Sequence, residues 1–174
     1  MESPYTPPSS STEESQVDDQ AQPNGLKGWL ILPMLGLIIT PISLSILLVT
    51  TFIPVFTDGT WTILTSPSSE AYHHLWAPLL IFESIGNFAF LIGSVFLLVW
   101  FFKKSRKLPK YIIIFYIANL LFVTADYIFG NPIPIVAESN QAESLREIVK
   151  SFIGAVIWVP YFLKSVRVKN TFKN

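Results

Sequence analysis

The chain has no cysteine, which removes disulfides, iron–sulfur ligation and thiolate chemistry from anything it does by itself. Charge is scarce: 14% of the residues are Asp, Glu, Lys or Arg, where a globular domain carries roughly 25%. Twelve basic and twelve acidic side chains cancel, so no net field draws in nucleic acid or an acidic partner. A phosphate-cradling glycine loop, a Ser/His/Asp set and a zinc signature are also missing. What is present is 51% apolar residues, with 14 Phe, 5 Trp and 6 Tyr, a composition suited to lipid more than to water.

Residues 1–24, MESPYTPPSSSTEESQVDDQAQPN, contain no Lys or Arg and no apolar run. They bury too little apolar surface to offset ordering entropy and are expected to be a disordered cytoplasmic tail. A cleaved signal peptide needs a basic start, an apolar middle and a small-residue cleavage site. This segment has none of these, so the first apolar stretch is expected to be a retained anchor.

Residues 25–172 are expected to form one all-α unit, an integral membrane four-helix bundle. Its spans cover about 29–56, 77–102, 111–130 and 148–163, lengths judged against hydrocarbon about 30 Å thick. The fourth is short and holds Lys150 and Pro160. Connections between spans alternate in basic content: none in 57–76, five Lys or Arg in KKSRKLPK (103–110), only Arg146 in 131–147, and four after Leu163. Short basic loops stay cytoplasmic, so this alternation predicts four spans with both termini inside. Trp29, Trp61, Trp76, Trp100, Tyr111 and Tyr161 fall near the predicted span ends, where aromatic rings anchor at the headgroups. Pro41, flanked by Thr40 and Ser43, is expected to kink the first span, with hydroxyls re-satisfying freed carbonyls.

Three blocks, GLKGWLILPMLGLIITPI (25–42), FTDGTWTILTSPSSEAYHHLWAPLLIFESIGN (56–87) and IWVPYFLKSVRVKNTF (157–172), resemble in their order the bacterial membrane proteins grouped as the domain-of-unknown-function 2569 family. The resemblance implies a small four-helix protein of the bacterial cytoplasmic (inner) membrane. It implies no activity and no cofactor, and it leaves the acidic tail outside.

Polar residues inside the spans are few and therefore informative. Glu83 and Asn87 stand at i,i+4 in the second span, and Asn119 and Asp126 at i,i+7 in the third, so each pair shares a helix face. Glu83 lies about 9 Å into its span from the outer side, and Asp126 reaches a similar level in the antiparallel neighbour. Gly86 and Gly93 flank the stripe and permit close helix approach. Lys150 enters the fourth span at comparable depth, free to snorkel or to neutralise one carboxylate. Glu83, Asn87, Asn119, Asp126 and Lys150 are the candidate cluster, either a clasp that fixes packing or a ligand or ion site facing the periplasm.

Other motifs are weaker. His73 and His74 with Glu70 do not complete a coordination shell, since adjacent histidines usually point apart, and neither lies within a span as an axial haem ligand would. KKSRKLPK is first a topology determinant, although anionic headgroups are recognised by the same composition. No catalytic residue, metal or cofactor is assigned. Beyond the lipid bilayer, the partners expected are a membrane protein or a second copy of the chain. The first functional reading is a non-enzymatic interaction or assembly module; the alternative is a transporter or ligand sensor using the outer carboxylates.

Overall fold

The computed structural model describes residues 26 and 28–173; the tail expected to be disordered, 1–24, lies outside them. The described residues are helical, with no strand among them. A 3-10 turn (Gly28–Leu30), α1 (Ile31–Leu47), a π-helical turn (Leu48–Phe52) and α2 (Ile53–Thr57) run on continuously. α3 (Thr60–Thr65) sits in the following connection, and α4 (Trp76–Phe102), α5 (Leu108–Gly130), α6 (Pro134–Lys164) and α7 (Val166–Thr171) complete the chain.

Among the described residues, three helices are long and apolar enough to cross a membrane: Gly28–Thr57, Trp76–Phe102 and Leu108–Gly130. Their outer faces carry residues such as Ile85, 66% exposed, and Leu121, 65% exposed. A continuous apolar surface of that kind belongs in lipid, not water. α6, which contains the expected fourth span, does not meet the same measure. Arg146, Glu147, Lys150 and Lys164 crowd charge around its apolar part.

Two local expectations need correcting. Segment 131–147, taken as a connection, is helical from Pro134 onward. Pro134 occupies the first turn, where its missing amide costs nothing, and the extended Ile133 before it has the conformation that a following proline demands. The Ala, Glu, Gln and Leu that follow are good helix formers. The second correction concerns the first span, which stays α-helical through Pro41. Its helical register breaks instead at Leu48–Phe52, where the Ile53 amide donates to the Leu48 carbonyl five residues back. Pro54, without an N–H and with a ring that crowds the preceding turn, accounts for that widening. Hydroxyls do serve the first span, but Thr40 bonds the Gly36 carbonyl at 2.8 Å and Ser45 that of Pro41 at 2.7 Å.

α1 packs on α4, α4 on α5 and α5 on α6. The tight turn between α4 and α5 makes those two antiparallel, and at that end the core is closed. Leu30, Phe101, Leu108, Phe162, Val168 and Phe172 are buried against one another there. α7 completes this core: Ser165 accepts the Val168 amide and caps it, and the Phe172 ring lies 5.5 Å from that of Phe101. The Arg106 guanidinium donates to the Lys173 carbonyl, tying the turn to the end of α7. The first and last blocks of the resemblance, far apart in sequence, therefore meet at one end of the bundle. Since that end carries most of the Lys and Arg, it is the basic end; the opposite one is the acidic end.

A candidate polar cavity within the helix bundle

Toward the acidic end, α4 and α5 are joined by a column of rings in place of a packed aliphatic core. Phe122 lies 4.8 Å from Phe82 and 5.3 Å from Phe90, and Phe90 lies 5.2 Å from Phe115. Gly86 makes this possible, since a Cβ there would stand 2.0 Å from the Phe122 ring. The polar residues occupy the adjoining face. Asn87 donates to its own helix, at the Glu83 backbone carbonyl 2.8 Å away, and does not reach across the bundle. Asn119 does cross, donating to Ser151 Oγ of α6 at 2.8 Å.

Glu83 and Asp126, placed at similar depth by the sequence, line the same two spaces in the bundle. Asp126 Oδ1 is buried and has no hydrogen-bond partner among the described residues. Two carboxylates on one cavity wall repel each other when both are ionised, which a cation, a shared proton or water can relieve. Both line a cavity of about 630 Å³ walled by all four long helices. Thr40, Ser43 and Thr51 come from the first helix, Glu83 and Asn87 from α4, Asn119 and Asp126 from α5, and Glu143, Ser144 and Glu147 from α6. Among the described residues, no Lys or Arg lines it. A smaller space of about 210 Å³ shares Glu83, Asp126 and Ser144 and adds Trp76, Tyr127 and Gln141.

Of the five candidate residues, the structure brings four to the larger cavity. Lys150 is exposed and lines a separate recess of about 280 Å³ with Asn119, Glu147 and Ser151. Sequence reasoning missed Glu143, Ser144 and Glu147 because it treated 131–147 as a connection. Their signal was there: Glu143 and Glu147 are i,i+4 and, on a helix, share one face. It also missed Ser151 as the partner of Asn119.

In the connection before α4, the rings of His73 and His74 stand 4.5 Å apart instead of pointing away from each other. His73 Nδ1 accepts the Leu75 amide at 3.3 Å, so this side chain shapes the entry to α4. Among the described residues no group of three or more His, Asp or Glu is arranged to hold a metal ion. Asp58, outside the spans, accepts hydrogen bonds from the Thr60 hydroxyl and backbone amide, which hold its carboxyl below the usual carboxylate range.

Comparison with known proteins agrees with this architecture. Residues 23–173 match the family model described as "Protein of unknown function (DUF2569)", and the chain belongs to that family. It is 26% identical over 158 residues to the inner membrane protein YdgK of Escherichia coli strain K12, across 87% of this chain and 96% of that protein. No solved structure matches.

Proposed function

We propose that this member of the DUF2569 family is a four-span inner-membrane protein, with both termini cytoplasmic, whose acidic cavity faces the periplasm and binds a small organic cation without chemically changing it. The fourth span is the apolar second half of α6, 148–163. Support for the orientation comes from the basic turn and basic C-terminal segment at one end and from the near absence of Lys and Arg in the connections at the other. The inner membrane is the location of the related YdgK protein.

One observation carries the binding reading: a cavity of about 630 Å³ lined by Glu83, Asp126, Glu143 and Glu147, with no basic side chain. Its volume is that of a drug-sized ligand site. The carboxylates are spread along its wall and do not converge, which favours an organic cation over a bare metal ion. Phe90, Phe115 and Phe122 add ring faces to which a quaternary or alkyl ammonium is attracted. The assembly-module reading requires no ligand in this space, and the same experiment separates the two.

That experiment uses the absence of native cysteine. Ser144→Cys places a thiol on the cavity wall. In intact cells a membrane-impermeant maleimide should label it from the periplasmic side, and benzyltrimethylammonium should slow the labelling. Adding Glu83→Gln and Asp126→Asn should abolish that protection. Labelling only in inverted vesicles would overturn the orientation. Labelling that the cation leaves unchanged would overturn the binding site and favour the assembly module.

A further inference from the structure

Between α4 and α5, sharing the Phe90 and Phe115 wall with the acidic cavity, the two helices leave an apolar groove of about 520 Å³. Gly86, Ala89, Gly93 and Ala118 form its floor, and Trp100 and Tyr111, with rings 5.0 Å apart, close its basic end. Directly beyond these rings is the turn that carries Lys103, Lys104 and Lys107, all exposed. Lys103 continues the row Phe96–Trp100 at i+7 and i+3. Lys107 precedes Tyr111 and Ile114 at i−4 and i−7, so both extend the groove faces.

Lys104 supplies the independent observation. The Ser105 amide donates to the Trp100 carbonyl and the Lys104 amide to that of Phe101, the paired bonds of a Schellman helix ending. Its left-handed position is the one glycine normally fills, yet lysine stands there with φ 51°. A non-glycine residue in this region costs conformational energy. A basic side chain at a position where glycine would be less strained places its charge at the mouth of the groove.

We infer that the α4–α5 groove and its turn form a site for an anionic phospholipid. One acyl chain lies along Gly93 and Ala118, the glycerol region rests against Trp100 and Tyr111, and the headgroup phosphate is held by Lys103, Lys104 and Lys107. Apolar length and positive charge are joined here in the order that a lipid presents them. The groove shares only Phe90 and Phe115 with the acidic cavity, and the proposal stands whether or not that cavity binds a cation.

The test is native mass spectrometry and thermal unfolding of the full chain in delipidating detergent, with added dioleoyl phosphatidylglycerol, chain-matched phosphatidylcholine or inorganic phosphate. Phosphatidylglycerol should bind and raise the melting temperature most, and phosphate alone should do nothing. Each of Lys103→Gln, Lys104→Gln and Lys107→Gln should weaken phosphatidylglycerol binding about fivefold. Lys104→Gly should raise the melting temperature of the delipidated protein while shrinking the lipid-dependent rise. A Cβ at Gly93 has ordinary clearance, 3.5 Å from Phe115, so Gly93→Leu should fold and obstruct the groove. Equal responses to the two lipids, a full response to phosphate, or undiminished phosphatidylglycerol binding in Gly93→Leu would each overturn the proposal. So would lysine variants that bind it as wild type does.

Discussion

At the basic end of the bundle, Phe101 and Leu30 are 0% exposed and Val168 is 1% exposed, packed by segments from the beginning, middle and end of the chain. At the acidic end the same helices enclose a cavity of about 630 Å³ edged with carboxylates. α1, α4 and α5 are apolar along their length, so their composition alone does not explain the contrast. What differs is which groups face inward and what caps the bundle. α7 plugs the basic end with Val168 and Phe172. The acidic end is bordered by the polar first half of α6, whose Glu143 and Glu147 are exposed and edge the cavity mouth. Lipid gives no hydrophobic drive to helix association, so the filled end is where van der Waals packing fixes the fold, while the hollow end is free to keep groups that destabilise a dry interior.

The largest expected effect follows from removing the plug. Phe101→Ala opens a void beneath Phe172 and should cost about 3–5 kcal/mol, as large buried aromatics do. Unfolding in a graded denaturing detergent, followed by tryptophan fluorescence, measures it. A cost below about 1 kcal/mol would mean that the basic end is not the more tightly built half.

Sequence reasoning saw the two halves unequally, and the residues show why. Runs such as LLIFESIGNFAFLIGSVFLLVWFF announce a span by length alone, and the depths of Glu83 and Asp126 follow from antiparallel neighbours with a short turn. The basic core was not legible, because Val168 and Phe172 lie in a segment whose Lys and Arg made it read as a tail. Half of the cavity wall was missed for a related reason. The residues from Ala137 to Glu147 are polar enough to pass for a loop, and only the helix period from Pro134 onward brings Glu143 and Glu147 together to the edge of the cavity. Charge density marked both segments as exterior, where helical packing gives each an inward face.

A middle-sized effect is expected at the boundary between the halves, where Phe122 rests on Gly86. Gly86→Ala drives a methyl into the ring, whose nearest atom lies 2.0 Å from the added carbon. Overpacking of this kind should cost about 1–3 kcal/mol. Phe122→Leu in the same chain should recover part of the loss, because the obstructing ring edge is gone; simple additivity of the two changes would place the strain elsewhere.

The smallest effect separates the two halves most sharply, because it concerns charges that a filled core would not tolerate. In one of the two readings the sequence allowed, Lys150 neutralises Glu83, in which case Glu83→Gln would strand a buried ammonium at a cost of about 3–5 kcal/mol. The structure puts Lys150 on an exposed part of α6 beside Glu147, in a recess that Glu83 does not line. The charged neighbour of Glu83 is Asp126, which has the same sign. Removing one of two adjacent carboxylates relieves repulsion, and a polar cavity large enough for water shields what remains. Glu83→Gln is therefore expected to leave unfolding stability within about 0.5 kcal/mol of wild type or to raise it, since it breaks no salt bridge. Lys150→Met should add to it within about 0.5 kcal/mol, since Lys150 and Glu83 line different spaces that meet only at Val123, Asn119 and Glu147. A double-mutant cycle read by thermal unfolding in detergent decides the matter. A coupling above about 1 kcal/mol would bring Lys150 onto Glu83 and show the acidic end to be a closed clasp. Additivity, together with lost cation protection in the Glu83→Gln chain, identifies these carboxylates as a binding surface that contributes little to the stability of the fold.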